Sequence, residues 1–239
     1  MPNVLGMFHT CGRTGRQRTY IIGKSNRRGQ ENTVLKTLEE IEQTAKRQSL
    51  PSIGPIKGKI IEEVIREHKP KKVLEIGTLH GYSAILITNT ILSEKIKNEN
   101  FATENSLSEP ILISVEKDQK IASIARKNIE YCRFSEKIKV ISGDALKEIP
   151  KINSTFDMIF LDAKKTEYFK YIQLIERHNL LNKKAVVVAD NVLIYENEMK
   201  DYLDYVRNSG KYISRTTQTT LEFTKHVKDA LEVSINIHT

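Results

Sequence analysis

The sequence predicts an α/β fold, a mostly parallel sheet with helices on both faces. Three observations predict it. Between residues 72 and 208, short runs of Val, Ile and Leu alternate with stretches of helical spacing. The runs FDMIFLD at 156–162 and KAVVVADN at 184–191 lack polar alternation, as expected of strands buried on both faces. The C-terminal segments KYISRTTQTT, LEFTKHV and ALEVSINI are β material without intervening helices, which adds antiparallel strands at one edge.

The elements follow in order. Residues 31–48 carry Val34, Leu35, Leu38, Ile41 and Ala45 at helical spacing. The turn LPSIGP at 50–55 leads into a second helix through KGKIIEEVIREH. Strand KVLEI at 72–76 precedes the turn GTLHGYS and a helix from about Tyr82 to Leu92. Residues 93–110 are polar, with three Asn and four Glu, and read as a surface insertion. Then come strand 111–116, helix 118–132, strand 137–141, a short helix at 144–149, strand 156–161, helix 167–179, strand 184–189 and helix 196–208. Such alternation implies parallel strands joined by helical crossovers.

At 239 residues the chain has the length of one domain, and 39% hydrophobic with 28% charged residues is ordinary for a soluble globular protein. No apolar run has the length of a membrane span. Cys11 and Cys132 have neither metal-ligand spacing nor a disulfide framework, so a reducing cytoplasm is the expected compartment. The net charge of +8 is concentrated. Residues 1–30 hold Arg13, Arg16, Arg18, Lys24, Arg27 and Arg28 and no acid, and the other 209 residues carry 32 basic and 30 acidic groups. Residues 1–30 are therefore expected to be a basic, poorly ordered arm, and 31–239 a single domain carrying the 93–110 insertion. An organelle transit segment or a nucleic-acid-binding arm are alternatives to the plainer reading, a solvated extension or an over-long start.

VLEIGTLHGYSA at 73–84 is a strand, a glycine turn and a helix start. Gly77 and Gly81 allow the backbone to turn close to a ligand. Ser83 lies near the helix N-terminus, where an anionic group is favoured. The third glycine of a dinucleotide fingerprint is missing, and no Gly-Lys-Ser/Thr of a phosphate loop follows. ILISVE ends in Glu116, placed to accept from both hydroxyls of a ribose, although a solvated strand-end acid is an equal alternative for Glu116 alone. VISGDA puts Gly143 and Asp144 where an adenine would lie, and Glu75 can face an amino group. The set suits a nucleoside with a zwitterionic tail, which is S-adenosylmethionine.

Two neighbouring strands end in acceptor oxygens: Asp162 in the first, Asp190 and Asn191 in the second. In an open parallel sheet these ends face one crevice. Two carboxylates and an amide oxygen are hard ligands suited to Mg²⁺ or another small divalent cation. Lys165 stands beside them as a base, with a pKa expected to be depressed beside the cation. A single strand-end Asp equally well caps a helix; the joint set favours a metal site.

On these motifs the chain resembles the cation-dependent, catechol-type O-methyltransferases. The resemblance covers roughly residues 50–235 and rests on VLEIGTLHGYSA, ISVEKD, ISGDA, FLDAKKTEY, VVVADNV and TLEFTKHVKDALEVSI. It implies the Rossmann-like seven-stranded methyltransferase sheet, with the last strands antiparallel. It implies Mg²⁺ at Asp162, Asp190 and Asn191, and S-adenosylmethionine contacts at Ile53, Glu75, Ser83, Glu116, Ala145 and Asp162, beside the glycines Gly77 and Gly143. Lys165 takes the base position and Glu222 touches a catechol hydroxyl, with Lys165, Asn191 and Glu222 around the substrate. Ala163 and Lys164 replace a His and a Trp of the animal enzymes, and the chain has no Trp.

The expected activity is transfer of a methyl group to one oxygen of a catechol-like vicinal diphenol, by a monomer or homodimer with a small phenolic substrate and no membrane partner. Two alternatives stand beside it: a tRNA hydroxyuridine O-methyltransferase, which the basic arm would suit, and a non-catalytic S-adenosylmethionine-binding module.

Overall fold

The computed structural model describes residues 24–98, 110–224 and 226–238. Most of the basic arm and of the 93–110 insertion therefore lies outside the described residues. The order is α1 (Lys24–Gln48), α2 (Gly54–His68), β1 (Val73–Ile76), α3 (Tyr82–Asn98), β2 (Leu112–Glu116), α4 (Gln119–Tyr131), β3 (Ile138–Ser142) and α5 (Ala145–Glu148). Then follow β4 (Phe156–Leu161), α6 (Tyr168–Arg177), β5 (Leu181–Ala189), α7 (Lys200–Asn208), β6 (Tyr212–Thr220) and β7 (Lys228–Asn236).

The seven strands form one sheet in the order β3-β2-β1-β4-β5-β7-β6. Strands β1 to β5 are parallel, and β7 inserts antiparallel between β5 and β6. The strand order reverses between β1 and β4, so their carboxyl ends flank the crevice where α/β sheets bind ligands. Apolar side chains fill both faces. Val73, Ile85, Met158, Phe160, Val186 and Val188 pack under α1 to α4. Leu74, Ile76, Ile159, Leu161, Val187 and Ala189 pack under α6 and α7. Strands buried on both faces explain the unbroken apolar runs of β4 and β5.

Four expectations need correction. Helix α1 starts at Lys24, ahead of 31, and α3 continues to Asn98 through residues assigned to the insertion. The described residues of LEFTKHV form a turn and not a strand: Phe223 has φ 61°, Leu221 N–H donates to Val227 O at 2.8 Å, and β7 follows from Lys228. Helix α7 begins at Lys200 and not 196, because residues 192–199 form successive turns after Asn191, whose φ is 66°.

Candidate active site

Register brings the metal-type oxygens together. Leu161 of β4 pairs with Ala189 of β5, and Asp190 N–H donates to Leu161 O at 3.0 Å. Asp162 and Asp190 each stand one residue past the paired ends and so project into the same crevice. Asp190 is 2% exposed. Burial and the nearby charge of Asp162 hold its carboxyl above its ordinary pKa, against the pull of Lys57 and Lys165. A buried carboxylate with a second one beside it makes a site that favours an added cation. Asn191 completes the set in the left-handed conformation, which Asn tolerates better than most side chains.

Lys165 lies in the short 3₁₀ turn after β4. Its Nζ donates to Asp162 Oδ1 at 2.8 Å and to Tyr168 Oη at 2.9 Å. Tyr168 is fully buried and spends its own proton on Leu161 O at 2.9 Å, so it can only accept from the lysine. Burial works against the Lys165 charge, but Asp162, Tyr168 and Asp190 outweigh it and raise the pKa. The expectation of a depressed value is therefore reversed while only protein groups surround the amine. Lys164, its neighbour, points outward and pairs with Glu167 at 2.8 Å.

The cofactor-type residues gather on the β1 side. Glu75 is fully buried and accepts from the hydroxyls of Ser83 and Ser114, and Ser114 is joined in turn to Thr78. Ser83 thus turns to Glu75 and not to the free N–H groups of α3. Burial pushes the Glu75 carboxyl up to about 7, only partly offset by the two serines. Glu116 Oε2 accepts from Thr78 N at 3.1 Å and Leu79 N at 3.0 Å, and Oε1 from Asp118 N at 3.0 Å. It therefore shapes the glycine turn of β1 and is more than a solvated acid. At Gly77, φ is 97° and a Cβ would lie 2.0 Å from Asp162 O, so only glycine lets the β1 turn rest on the end of β4. Gly143 N–H donates to Glu116 O at 2.8 Å, and Asp144 caps α5 by accepting from Leu146 N. Ala145 and Ile53 are buried, Ile53 at the N-cap of α2.

Glu222 lies in the β6–β7 turn and packs on the start of α2. A Cβ at Gly54 would meet its Cδ at 2.2 Å, and it accepts from the backbone N–H of Ile56. Burial raises its carboxyl, and Oε2 is buried without a partner. Leu193 (39%), Tyr195 (40%) and Phe223 (40%) are exposed apolar groups adjoining this region in sequence, and the Tyr195 ring lies 6.0 Å from Lys165 Nζ.

Three residues of the site escaped the sequence reading: Lys57, Asp229 and Tyr168. Lys57 Nζ bridges Asp190 Oδ1 and Asp229 Oδ2, both at 2.6 Å. Burial opposes its charge, but the two carboxylates prevail and raise its pKa. A signal existed. Lys57 shares the buried stripe of Ile61, Val64 and Ile65, and Asp229 shares the alternation of Leu231, Val233 and Ile235. A charge on an apolar face needs a buried partner. Among the described residues no group of three or more His, Cys, Asp or Glu could hold a metal; the set at the β4 and β5 ends has two carboxylates and one amide.

The seven-stranded sheet with its last strands antiparallel is of the methyltransferase type, and comparison with known proteins agrees. Residues 25–235 match the family model described as O-methyltransferase. Catechol O-methyltransferase B of Danio rerio is 32% identical over 213 residues, covering 87% of this chain and 73% of that protein. Catechol O-methyltransferase of Bos taurus is 31% identical, covering 75% of this chain and 61% of its own length. The crystal structure of an O-methyltransferase from Bacillus cereus in complex with SAH shares the fold, with a TM-score of 0.68 at 23% identity over 84% of this chain and 90% of that one. The chain belongs to the O-methyltransferase family, in its catechol-type, S-adenosylmethionine-dependent branch. Among the described residues no helix is long and apolar enough to cross a membrane.

Proposed function

We propose that this enzyme moves the methyl group of S-adenosylmethionine onto one oxygen of a catechol-like vicinal diphenol, with a divalent cation such as Mg²⁺ at Asp162, Asp190 and Asn191. The observation that carries the reading is the β4–β5 register. It sets Asp162, Asp190 and Asn191 side by side and leaves Lys165 within 2.8 Å of Asp162. Hard oxygen ligands in small number suit Mg²⁺, which keeps sites open for substrate oxygens. When bound, such a cation acts as a Lewis acid that lowers the pKa of a phenol, and S-adenosylmethionine supplies an electrophilic methyl.

The chain's own groups do the rest. Glu75 is a buried acid served only by hydroxyl donors, so it suits the ammonium of the methionine tail. Glu116 suits the ribose, and Ile53, Gly77, Ser83, Gly143 and Ala145 would complete the cofactor site. Lys165, once it has released its own proton to solvent, would accept the phenolic proton at Nζ as the free amine; a cation at Asp162 and Asp190 would favour that neutral form by offsetting their charge. Glu222, with its unpartnered Oε2, receives the second hydroxyl. Alignment of acceptor and methyl removes much of the entropic barrier, on the order of 7–11 kcal/mol in favourable systems. Residues 24–239 act as one domain of a cytoplasmic enzyme, and the basic segment ahead of α1 takes no part in catechol methylation.

The test is a product assay with S-adenosylmethionine and Mg²⁺ against a panel of catechols, monophenols and deproteinised tRNA, read by mass spectrometry. Methylated catechol in the wild type and none in Asp162→Ala is expected. Methyl incorporation into tRNA with none into any catechol would transfer the assignment to RNA. S-adenosylhomocysteine binding without any product would make the chain a cofactor-binding module.

A further inference from the structure

Lys57 and Asp229 have no part in the chemistry above, yet both are buried at its centre. Asp229 Oδ2 accepts from Lys57 Nζ at 2.6 Å and from Asn191 Nδ2 at 2.8 Å. An ionised carboxylate can only accept, so the end of the Asn191 amide that faces Asp229 must be the NH₂. The carbonyl Oδ1 is thereby left as the free end. Asp190 is constrained in the same way. Its Oδ1 takes both Lys57 Nζ at 2.6 Å and the backbone N–H of Asn191 at 2.7 Å. Only Oδ2 remains uncommitted to these donors. One buried ammonium thus balances two buried carboxylates brought in by β5 and β7. An Asp in place of Asn191 would set a third carboxylate against Asp229.

We propose that Asp229 is a positioning residue that fixes the amide orientation of Asn191, with Lys57 as its counter-charge, so that Asn191 Oδ1 is offered to a divalent cation before the cation arrives. The inference rests on the cation reading of Asp162, Asp190 and Asn191. Partners of this kind typically change metal affinity by about 10–100-fold when removed. A plain structural ion pair joining α2, β5 and β7 would instead change stability and leave affinity alone.

The experiment measures Mn²⁺ binding to the full chain by the electron paramagnetic resonance signal of free Mn²⁺. Asp229→Leu, which removes the acceptor but leaves Lys57 paired with Asp190, should weaken Mn²⁺ binding about 10–100-fold. Asp229→Asn, which keeps an acceptor oxygen, should recover most of it. In an Asn191→Ala background, Asp229→Leu should cost nothing further, because no amide is left to orient. S-adenosylhomocysteine affinity without metal should stay within about two-fold, the spread of measured single-interaction effects. Unchanged Mn²⁺ affinity in Asp229→Leu, or an additive loss in the double variant, overturns the proposal alone. A wild type that binds no Mn²⁺ overturns the cation reading and this proposal with it. Where Asp229→Leu does not fold, hydrogen exchange on the wild type decides. The Asn191 side-chain amide, assigned by its loss in Asn191→Ala, should be protected before and after Mg²⁺ is added. Fast exchange before Mg²⁺ overturns the proposal.

Discussion

Replacing Glu75 by Gln should stabilise the ligand-free enzyme at neutral and alkaline pH while weakening its hold on S-adenosylmethionine. The carboxyl is fully buried, with two serine hydroxyls as donors and no cation beside it. Burial raises it from 4.5 to about 7. The folded state therefore keeps this proton over a range where the unfolded chain has lost it. Stability from the protonated acid is complete below 4.5, falls as pH climbs toward 7, and is gone above that. At about 1.4 kcal/mol for each tenfold change, the full loss is about 3 kcal/mol. Gln has nearly the same shape and never ionises. The Ser114–Thr78 pair can reverse its hydrogen bond, so that Ser114 accepts from the new amide. Urea unfolding of both proteins from about pH 5 to about pH 8 gives the comparison. The gap between them should widen in favour of Gln by about 3 kcal/mol, or roughly 6–12 °C in melting temperature for a domain of this size. S-adenosylhomocysteine affinity should drop by about 1.5–3 kcal/mol, the worth of a charged hydrogen bond. Parallel stability profiles across the whole pH range would refute the reasoning, because they would mean that Glu75 is already ionised in the fold at pH 5 or solvated by water.

Other substitutions test the remaining parts. Gly77→Ala should destabilise by about 2–4 kcal/mol, combining an unfavourable φ with overpacking on Asp162 O, and should abolish S-adenosylhomocysteine binding by calorimetry. Glu116→Ala should cost about 2–4 kcal/mol of cofactor affinity; Glu116→Gln, which keeps one acceptor for the Thr78 and Leu79 N–H groups, should lose less. Lys165→Ala should lower kcat about 10²–10⁴-fold with cofactor affinity intact, whereas Lys164→Ala, on the outward side, should behave as wild type. EDTA should stop methyl transfer and added Mg²⁺ restore it, and full turnover in EDTA would remove the cation from the mechanism.

Most of the sheet was readable because its central strands are buried on both faces. VLEI, FDMIFL and AVVVA cannot be amphipathic, and their spacing leaves room for crossover helices. The misreadings fall where local pattern and tertiary context part. LEFTKHV alternates like a strand, yet Phe223 takes a left-handed backbone and the segment is the turn that carries Glu222 to α2. Residues 196–199 have helical composition, but the turns that follow Asn191 delay α7 to Lys200. In the site, Asp162, Asp190 and Asn191 were legible because strand ends converge in any parallel sheet. Lys57 and Asp229 each showed as a charge on an apolar face, but their pairing did not, because 172 residues separate them and no local pattern records a salt bridge between a helix and the last strand. The raised pKa of Lys165 without a cation was hidden for the same reason, since it depends on how many carboxylates the fold leaves around one amine.

The contact between Gly77 and the backbone of Asp162 has a consequence for how this enzyme can change. The turn that would carry the methyl donor rests directly on the residue that would help to fix the acceptor, with no side chain between them to lengthen or shorten. Donor and acceptor are therefore set apart by backbone geometry alone. Mutation has no screw with which to adjust that distance by small steps. If the acceptor is a phenol, new ones would be admitted at the periphery, where Leu193, Tyr195 and Phe223 are exposed and can be exchanged without disturbing the sheet. A lineage that varies those three positions and leaves the glycine alone could broaden what it methylates while keeping how it methylates unchanged.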